Sequence, residues 1–575
     1  MSINKRYIGV IWFVWFVLSG CSDDEKRTKP RAGETSAKGR SPAPFLNVIP
    51  ASTPFLYISF EPLPKEILRQ FSDTAKSLSD GQVAALAAQL DTDVPSISDA
   101  ERFAMAFVLE ASKSRDGLGF GSLGAGESPK LAIYGIGLSP VVRVKLSEPD
   151  RGVRFIKQVL RRAGIEPKSQ VAPNTNTLWI HKGSRMSHVL GLTGDDLVFS
   201  AHPHSVHEQV MAHIRGEGPR QPSLESKGTV QQMMKDRKLS GMGLGFIDVD
   251  ALWKGYLGIG PEALMTSWRA FGLKQAARST QCQDEGSRLA GAFRRIEFGS
   301  RLDDGNRFTG FIFVDSDEKF VHALETLMTP LPPIDIQKDT LFSLGIGFKF
   351  GEAIRLLLDV LSTMKPFTCS DFVFMNQKIN DLRADWAARI AMIPPVLKTI
   401  TGGYVELVQL NLEQKVGADA KGTTVIFGQR MDAVYELVKT IMPGLVSAEI
   451  KADGQTRPVD VSKGLPLATP VAVNLTSSKL GLAIGAGHSH RLDSILDEKK
   501  QGPPRLITLS YDVGRFSNAM QTIVERIAAF KGLSKNVRPK SLPAALGQFT
   551  LDVYPRHKEL VIRTAVQLLN RPNGL

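Results

Sequence analysis

Residues 340–361 read TLFSLGIGFKFGEAIRLLLDVL, and the stretch changes period half-way. As far as Phe348 the apolar residues form a short strand-like run; beyond it Ile354, Leu357, Leu358 and Leu361 recur at helical spacing. Strand, turn and amphipathic helix are therefore expected in that order. The same change of period occurs in TPFLYISFEPLPKEILRQF from Thr53, in GMGLGFIDVDALWKGYL from Gly241 and in RLITLSYDVGRFSNAMQTIVERI from Arg505. A second kind of unit begins at Val141 (VVRVKLSEPDRGVRFIKQVL), Phe308 (FTGFIFVDSDEKFVHALETLM) and Thr423 (TTVIFGQRMDAVYELVKTIM). In the first two, Asp or Ser at the turn is placed to accept from free helix amides. A third kind, two short strands around a polar turn and then a helix, begins at Val189 and again at Ala472.

Taken in order, these units predict a duplicated α+β architecture, with antiparallel or mixed sheets covered by helices. Residues 45–220 form the first repeat domain and 336–498 the second. Residues 221–335 form a partial copy with the first two unit types, and 499–575 a closing strand–helix–hairpin unit. Gly/Pro-rich stretches at 214–228, 329–339 and 497–505 mark the joins. Strand intervals are too irregular for a TIM barrel.

The amino terminus has a different character. Lys5 and Arg6 precede the apolar run IGVIWFVWFVL at 8–18, and LSGC closes it at Leu18 to Cys21. The run is shorter than the roughly 20 residues of a membrane-spanning helix, so it reads as a signal segment occupying 1–21. LSGC resembles the lipobox of bacterial lipoproteins. That resemblance implies acylation of Cys21 and a body tethered to a membrane outside the cytoplasm through its acyl chains. With Ser22 ahead of Asp23 and Asp24, it further implies the periplasmic face of the outer membrane. Residues 22–44 are rich in charge, Pro, Gly and Ser and are expected to be a disordered tether, holding the body on the order of 25–30 Å from the bilayer.

Two further stretches, IPASTPFLYISFEPLP at 49–64 and SPKLAIYGIGLSPVVRVKL at 128–146, resemble a group of uncharacterised proteobacterial envelope proteins. The mature region of that group opens with a Pro-Ala-Asp-Thr-Pro-Tyr-like segment. Here Ser52 stands in place of its aspartate and Phe55 in place of its tyrosine. The resemblance implies location and fold rather than an activity.

Composition narrows the partners. The 575 residues carry 71 Lys+Arg against 58 Asp+Glu, a net charge of +13, which favours anionic surfaces. The charges are interspersed and no basic run is interleaved with aromatics, so nucleic acid is not an expected partner. Beyond Cys21 only Cys282 and Cys369 remain; in an exported chain they are expected to form a disulfide, with two separate buried thiols the competing reading.

Three stretches carry candidate chemistry. GFGSLG at 119–124 matches G-x-G-x-x-G, but a helix-like segment precedes it and a strand-like one follows, the reverse of a dinucleotide site, so a turn is expected. No cofactor is expected. Six of the ten histidines lie between 181 and 213, and His202, His204 and His207 in HPHSVH have a spacing that a zinc or copper ion could use. Ser205 and Glu208 form S-x-x-E, so a capping box at an exposed corner is the preferred reading. Finally, AGHSHR at 486–491 imitates the nucleophile elbow of a hydrolase around Ser489, with Asp512 or Asp552 and His557 downstream. Arg491 occupies the place of the elbow's last glycine, and a helix start is preferred to a nucleophile. The expected function is non-catalytic binding or scaffolding in the cell envelope, with an envelope protein or a lipid-like amphiphile as the expected partner. A carrier of lipid or another hydrophobic ligand, and a hydrolase or metal-dependent enzyme, are the alternatives.

Overall fold

A computed structural model describes residues 45–62, 99–112, 120–126, 129–166, 168–170, 177–182, 186–217, 222–273, 279–303, 307–331, 340–411, 419–441, 445–446, 449–460, 470–485, 487–496, 502–519, 522 and 546–568. Cys21, the signal segment and the tether 22–44 lie outside them. Among the described residues no helix is long and apolar enough to cross a membrane. The chain divides into two compact units, residues 1–278 with 295–302, and residues 279–294 with 303–575.

The first unit is built on β1 (Phe55–Ser59), β2 (Leu131–Ile136), β3 (Ser139–Lys145), β4 (Lys168–Gln170), β5 (Thr177–Lys182), β6 (Met186–Thr193), β7 (Asp196–Pro203), β8 (Leu244–Asp248) and β9 (Phe293–Asp303). Pairing is antiparallel in the order β4-β5-β6-β7-β3-β2-β1-β8-β9. Segment 221–335, expected as a separate partial copy, thus contributes β8 and β9 to the same sheet as β1. Every residue of β2 is buried, because helices cover both faces of the strand. Leu131 and Ile133 join a core with α1 (Asp99–Ser112) and α2 (Pro149–Ala163), through residues such as Leu109, Phe155 and Val159. Tyr134 points the other way, toward α3 (His207–Arg215), and hydrogen-bonds His213. Helices α4 (Val249–Leu257) and α5 (Glu262–Ala270) lie between β8 and β9 in sequence.

In the second unit, α6 (Thr280–Ala290), β10 (Arg307–Ser316) and α7 (Glu318–Leu327) lead to β11 (Phe342–Ile346), which is followed by α8 (Phe350–Thr363) and α9 (Phe374–Met392). Then come β12 (Ile400–Asn411), β13 (Asp419–Gly428), α10 (Met431–Ile441), β14 (Arg457–Val459), β15 (Val471–Leu475), β16 (Lys479–Ile484), α11 (His488–Leu496), β17 (Ile507–Asp512), β18 (Leu546–Arg556) and β19 (Glu559–Leu568). The antiparallel order is β14-β15-β16-β13-β12-β11-β17-β18-β19-β10. Helix α10 packs Val434 and Tyr435 against Val471, Val473 and Leu480; α11 packs Leu492 and Ile495 against Tyr404, Val425 and Ala483. Residues 340–361 thus form β11 and most of α8.

Cys282 in α6 and Cys369, just before α9, are joined in a disulfide with Cα atoms 5.0 Å apart. Beside it Glu285 accepts from the amides of Thr368 at 2.8 Å and Cys369 at 3.0 Å. Those bonds, the Thr368 hydroxyl first, hold the Glu285 carboxyl below the usual range. Two local expectations need correction. The Ser205/Glu208 capping box does not form: a 3-10 turn at His204–Val206 moves the helix start to His207, so Ser205 lies inside the turn rather than ahead of the helix. At α2 Glu148 occupies the cap without a side-chain bond, whereas at α7 Asp317 accepts from Lys319 and Phe320 amides.

Candidate functional site

In the first unit, a cavity of about 730 Å³ opens between the β2–β3 turn and the end of α3. Its polar lining is Asn47, Ser52, Gln209, His213, Ser223 and Ser226, and among the described residues none that lines it is charged. Val48, Ile49, Ile136 and Ala263 supply apolar wall. Part of the wall is bare backbone. Gly137 holds φ +57°, and a Cβ there would lie 2.1 Å from Ser267 Oγ and 2.6 Å from the Ala263 carbonyl. Thr53 Oγ1 accepts from the Gly135 amide at 2.9 Å and donates to the Phe55 carbonyl, tying this turn to the start of β1.

Behind the cavity lies a buried polar chain. Arg143 is on the same face of β3 as Val141 by the period-two rule, and is 2% exposed. Its Nε donates to the Tyr134 hydroxyl at 3.0 Å, and its guanidinium lies 3.7 Å from Asp196. Tyr134 Oη is 3.2 Å from His213 Nε2. The Tyr134 hydroxyl is fully buried and accepts from Arg143, and among the described residues His213 Nε2 is the one acceptor within reach of its hydrogen; satisfying that hydrogen assigns the imidazole proton to Nδ1. Burial, and then the Arg143 charge, hold His213 down to about 4, so the ring is neutral above that pH. Burial likewise pushes the Tyr134 hydroxyl up.

The histidines singled out for metal binding are placed otherwise. Ser200 Oγ donates to the Pro140 carbonyl at 2.9 Å and so accepts from His202 Nδ1 at 3.0 Å. His202 Nε2 then accepts from His207 Nδ1 at 3.0 Å. His204 is diverted to Ser187 Oγ, at 2.8 Å from Nδ1. Among the described residues no group of three or more His, Cys, Asp or Glu side chains is arranged to hold a metal ion. Burial, then the neighbouring His207, bring His202 down to about 3, and burial also lowers His207.

In the second unit, AGHSHR contributes its arginine rather than its serine. Arg491 reaches back from α11 to Glu406 on β12, with Nε to Oε2 at 2.9 Å and Nη2 to Oε1 at 3.2 Å. The Glu406 side chain is 1% exposed and takes a further bond from Thr340 at 2.9 Å. The Ser489 hydroxyl has no hydrogen-bond partner among the described residues. The three residues that would complete a triad with it have other places. Asp552 is ion-paired with Arg505 and bonded to Thr508. Asp512 accepts from the Arg515 amide at 2.8 Å, and His557 occupies the β18–β19 turn at φ +55°. The glycine motif at 119–124 ends in a short helix, Phe120–Leu123, with Gly124 turning at φ +79° ahead of β2.

Sequence reading missed Arg143, Tyr134 and His213 as a chain, and missed Glu406 with Arg491. The available signal was parity: Arg143 in VVRVKL and Glu406 in GYVELV each fall on the inward face of an otherwise apolar strand. No protein-family model matches this chain, and a search of curated proteins finds no match either.

Proposed function

We propose that this protein is a lipid-anchored component of the bacterial cell envelope, attached through Cys21, with a binding role and without catalysis. The observation that carries the binding role is the division of labour among polar groups. Strong charges such as Glu406 with Arg491, and Asp552 with Arg505, are paired, whereas the cavity is lined by neutral hydrogen-bonding groups alone. Such a cavity holds and orients a ligand, and its one imidazole, His213, is held down to about 4 and is a weak base there.

We also propose that the two units are copies of one design. The order β5-β6-β7-β3-β2-β1-β8-β9 has the connectivity of β14-β15-β16-β13-β12-β11-β17-β18. Tyr134 sits opposite Val141, and Tyr404 opposite Val425, at matching places in those orders. The lipobox and the exported-type disulfide support the location.

The test is mass spectrometry of the membrane-extracted mature chain under native conditions. The expected species begins at an acylated Cys21, keeps the disulfide and carries a non-covalent small molecule. A chain that retains Met1 and releases into the soluble fraction would refute the anchored reading.

A further inference from the structure

We propose that the cavity beside His213 recognises a neutral secondary amide, with the His213 Nδ1–H as a fixed donor to the amide carbonyl. This inference rests on the binding role above and specifies its ligand.

The donor's direction is assigned from hydrogen-bond satisfaction. Arg143 donates to Tyr134, the buried Tyr134 hydroxyl has His213 Nε2 as its one acceptor among the described residues, and the remaining imidazole proton then sits on Nδ1. Among the described residues Nδ1 has no partner, and it is not a buried unpaired atom, so it is open on a residue that lines the cavity. Its partner must therefore be an acceptor. Among the described residues the lining offers no charged acceptor or donor: no carboxylate is there to hold a cation. The guanidinium behind the ring is buried and already shared between Tyr134 and Asp196, so among the described residues an anion meets no free positive charge. What remains is an uncharged oxygen. A carbonyl beside an N–H uses the rest of the lining, because Asn47, Gln209 and the Ser226 hydroxyl offer acceptors for that N–H. A short aliphatic group beside the amide fits against Ile136 and Ala263.

Two envelope sources present this group, the acetamido substituent of an amino sugar and the backbone of a short peptide. The probes are N,N′-diacetylchitobiose and acetyl-triglycine methylamide, with de-acetylated, cationic chitobiose as control, added to the detergent-solubilised full chain labelled with 15N-histidine. The expected spectrum shows His213 protonated at Nδ1 and unmoved between pH 7.5 and 5.5. At least one neutral probe should shift that signal, and the cationic control should not; whichever probe acts identifies the source. Ala263→Phe, which fills the cavity, should weaken the binding at least tenfold and leave the His213 tautomer as it was. Should that variant fail to fold, Gln209→Leu on the exposed rim should weaken it several-fold. Tyr134→Phe should release the tautomer and reduce binding of the same probe.

An Nε2–H tautomer, an unmoved His213 signal at millimolar concentrations of both neutral probes, or an equal shift from the cationic control would each overturn the proposal. Because acylation of Cys21 and co-purified ligand are read separately by mass, a wrong ligand class is distinguishable from a wrong function.

Discussion

Arg491 decides how the imitation of a nucleophile elbow is to be understood. A glycine there would free the turn for catalysis; the arginine instead carries a charge into the second unit to meet Glu406. Removing one member of such a pair leaves the other buried and uncompensated, at a cost of roughly 3–5 kcal/mol. Arg491→Met should therefore lower the urea midpoint strongly, while the double change Arg491→Met with Glu406→Leu should recover most of the loss. A second expectation at this scale concerns acid. His202 and His213 are held at about 3 and about 4, below the 6.5 of a free imidazole. Between those values the unfolded chain binds more protons than the folded one, so stability rises with pH and falls on acidification from about 6.5 toward 3. At pH 5 the loss should be roughly 2 kcal/mol from each ring. The surrounding charges, Lys182, Arg215, Glu208 and Arg143, and the histidines at 188, 204 and 207 tune this window. Urea titrations at pH 7.5 and 5, in the wild type and in His202→Gln, measure it.

At the scale of elements, the β2–β3 turn and the α6–α9 connection carry the clearest consequences. Gly137→Ala places a methyl in a left-handed residue and against backbone, so a loss of about 1–3 kcal/mol is expected by thermal unfolding. Helix α9 buries only Ile379 and Ile390, while Phe374 is 64% and Met392 75% exposed. Packing therefore contributes little to its stability, and the cross-link 87 residues back along the chain contributes more. Replacing both cysteines by serine should cost roughly 4–5 kcal/mol in the chain-entropy account and speed hydrogen exchange first in α9. Elements like these were largely legible from period alone: β11 with α8, β17, and the hairpin β15–β16 lie where alternation and helical spacing put them. The corner at 204–207 was not, because S-x-x-E is a local signal and the chain spends its first residues in a 3-10 turn.

For the whole molecule, sequence pattern reached the α+β class but not the strand order, because pairing of β1 with both β2 and β8 depends on contacts far apart in the chain. The site was less legible still. Parity put Arg143 inside, but its meeting with Tyr134 and the approach of His213 from α3 exist only once the sheet is covered on its second face. Surface charge is a further molecular property: +13 is a long-range repulsion that 0.1 M salt screens beyond about 10 Å. Raising ionic strength should nevertheless leave thioflavin fluorescence flat in a dye-binding assay, for a backbone reason. Among the described residues β4 and β14 each pair on one side only; both are three residues long, and β14 carries Pro458, which has no amide hydrogen to offer. At high density, copies of the chain collide constantly. Here those collisions find almost no exposed ladder to extend, so crowding by itself does not template a fibril from these two margins.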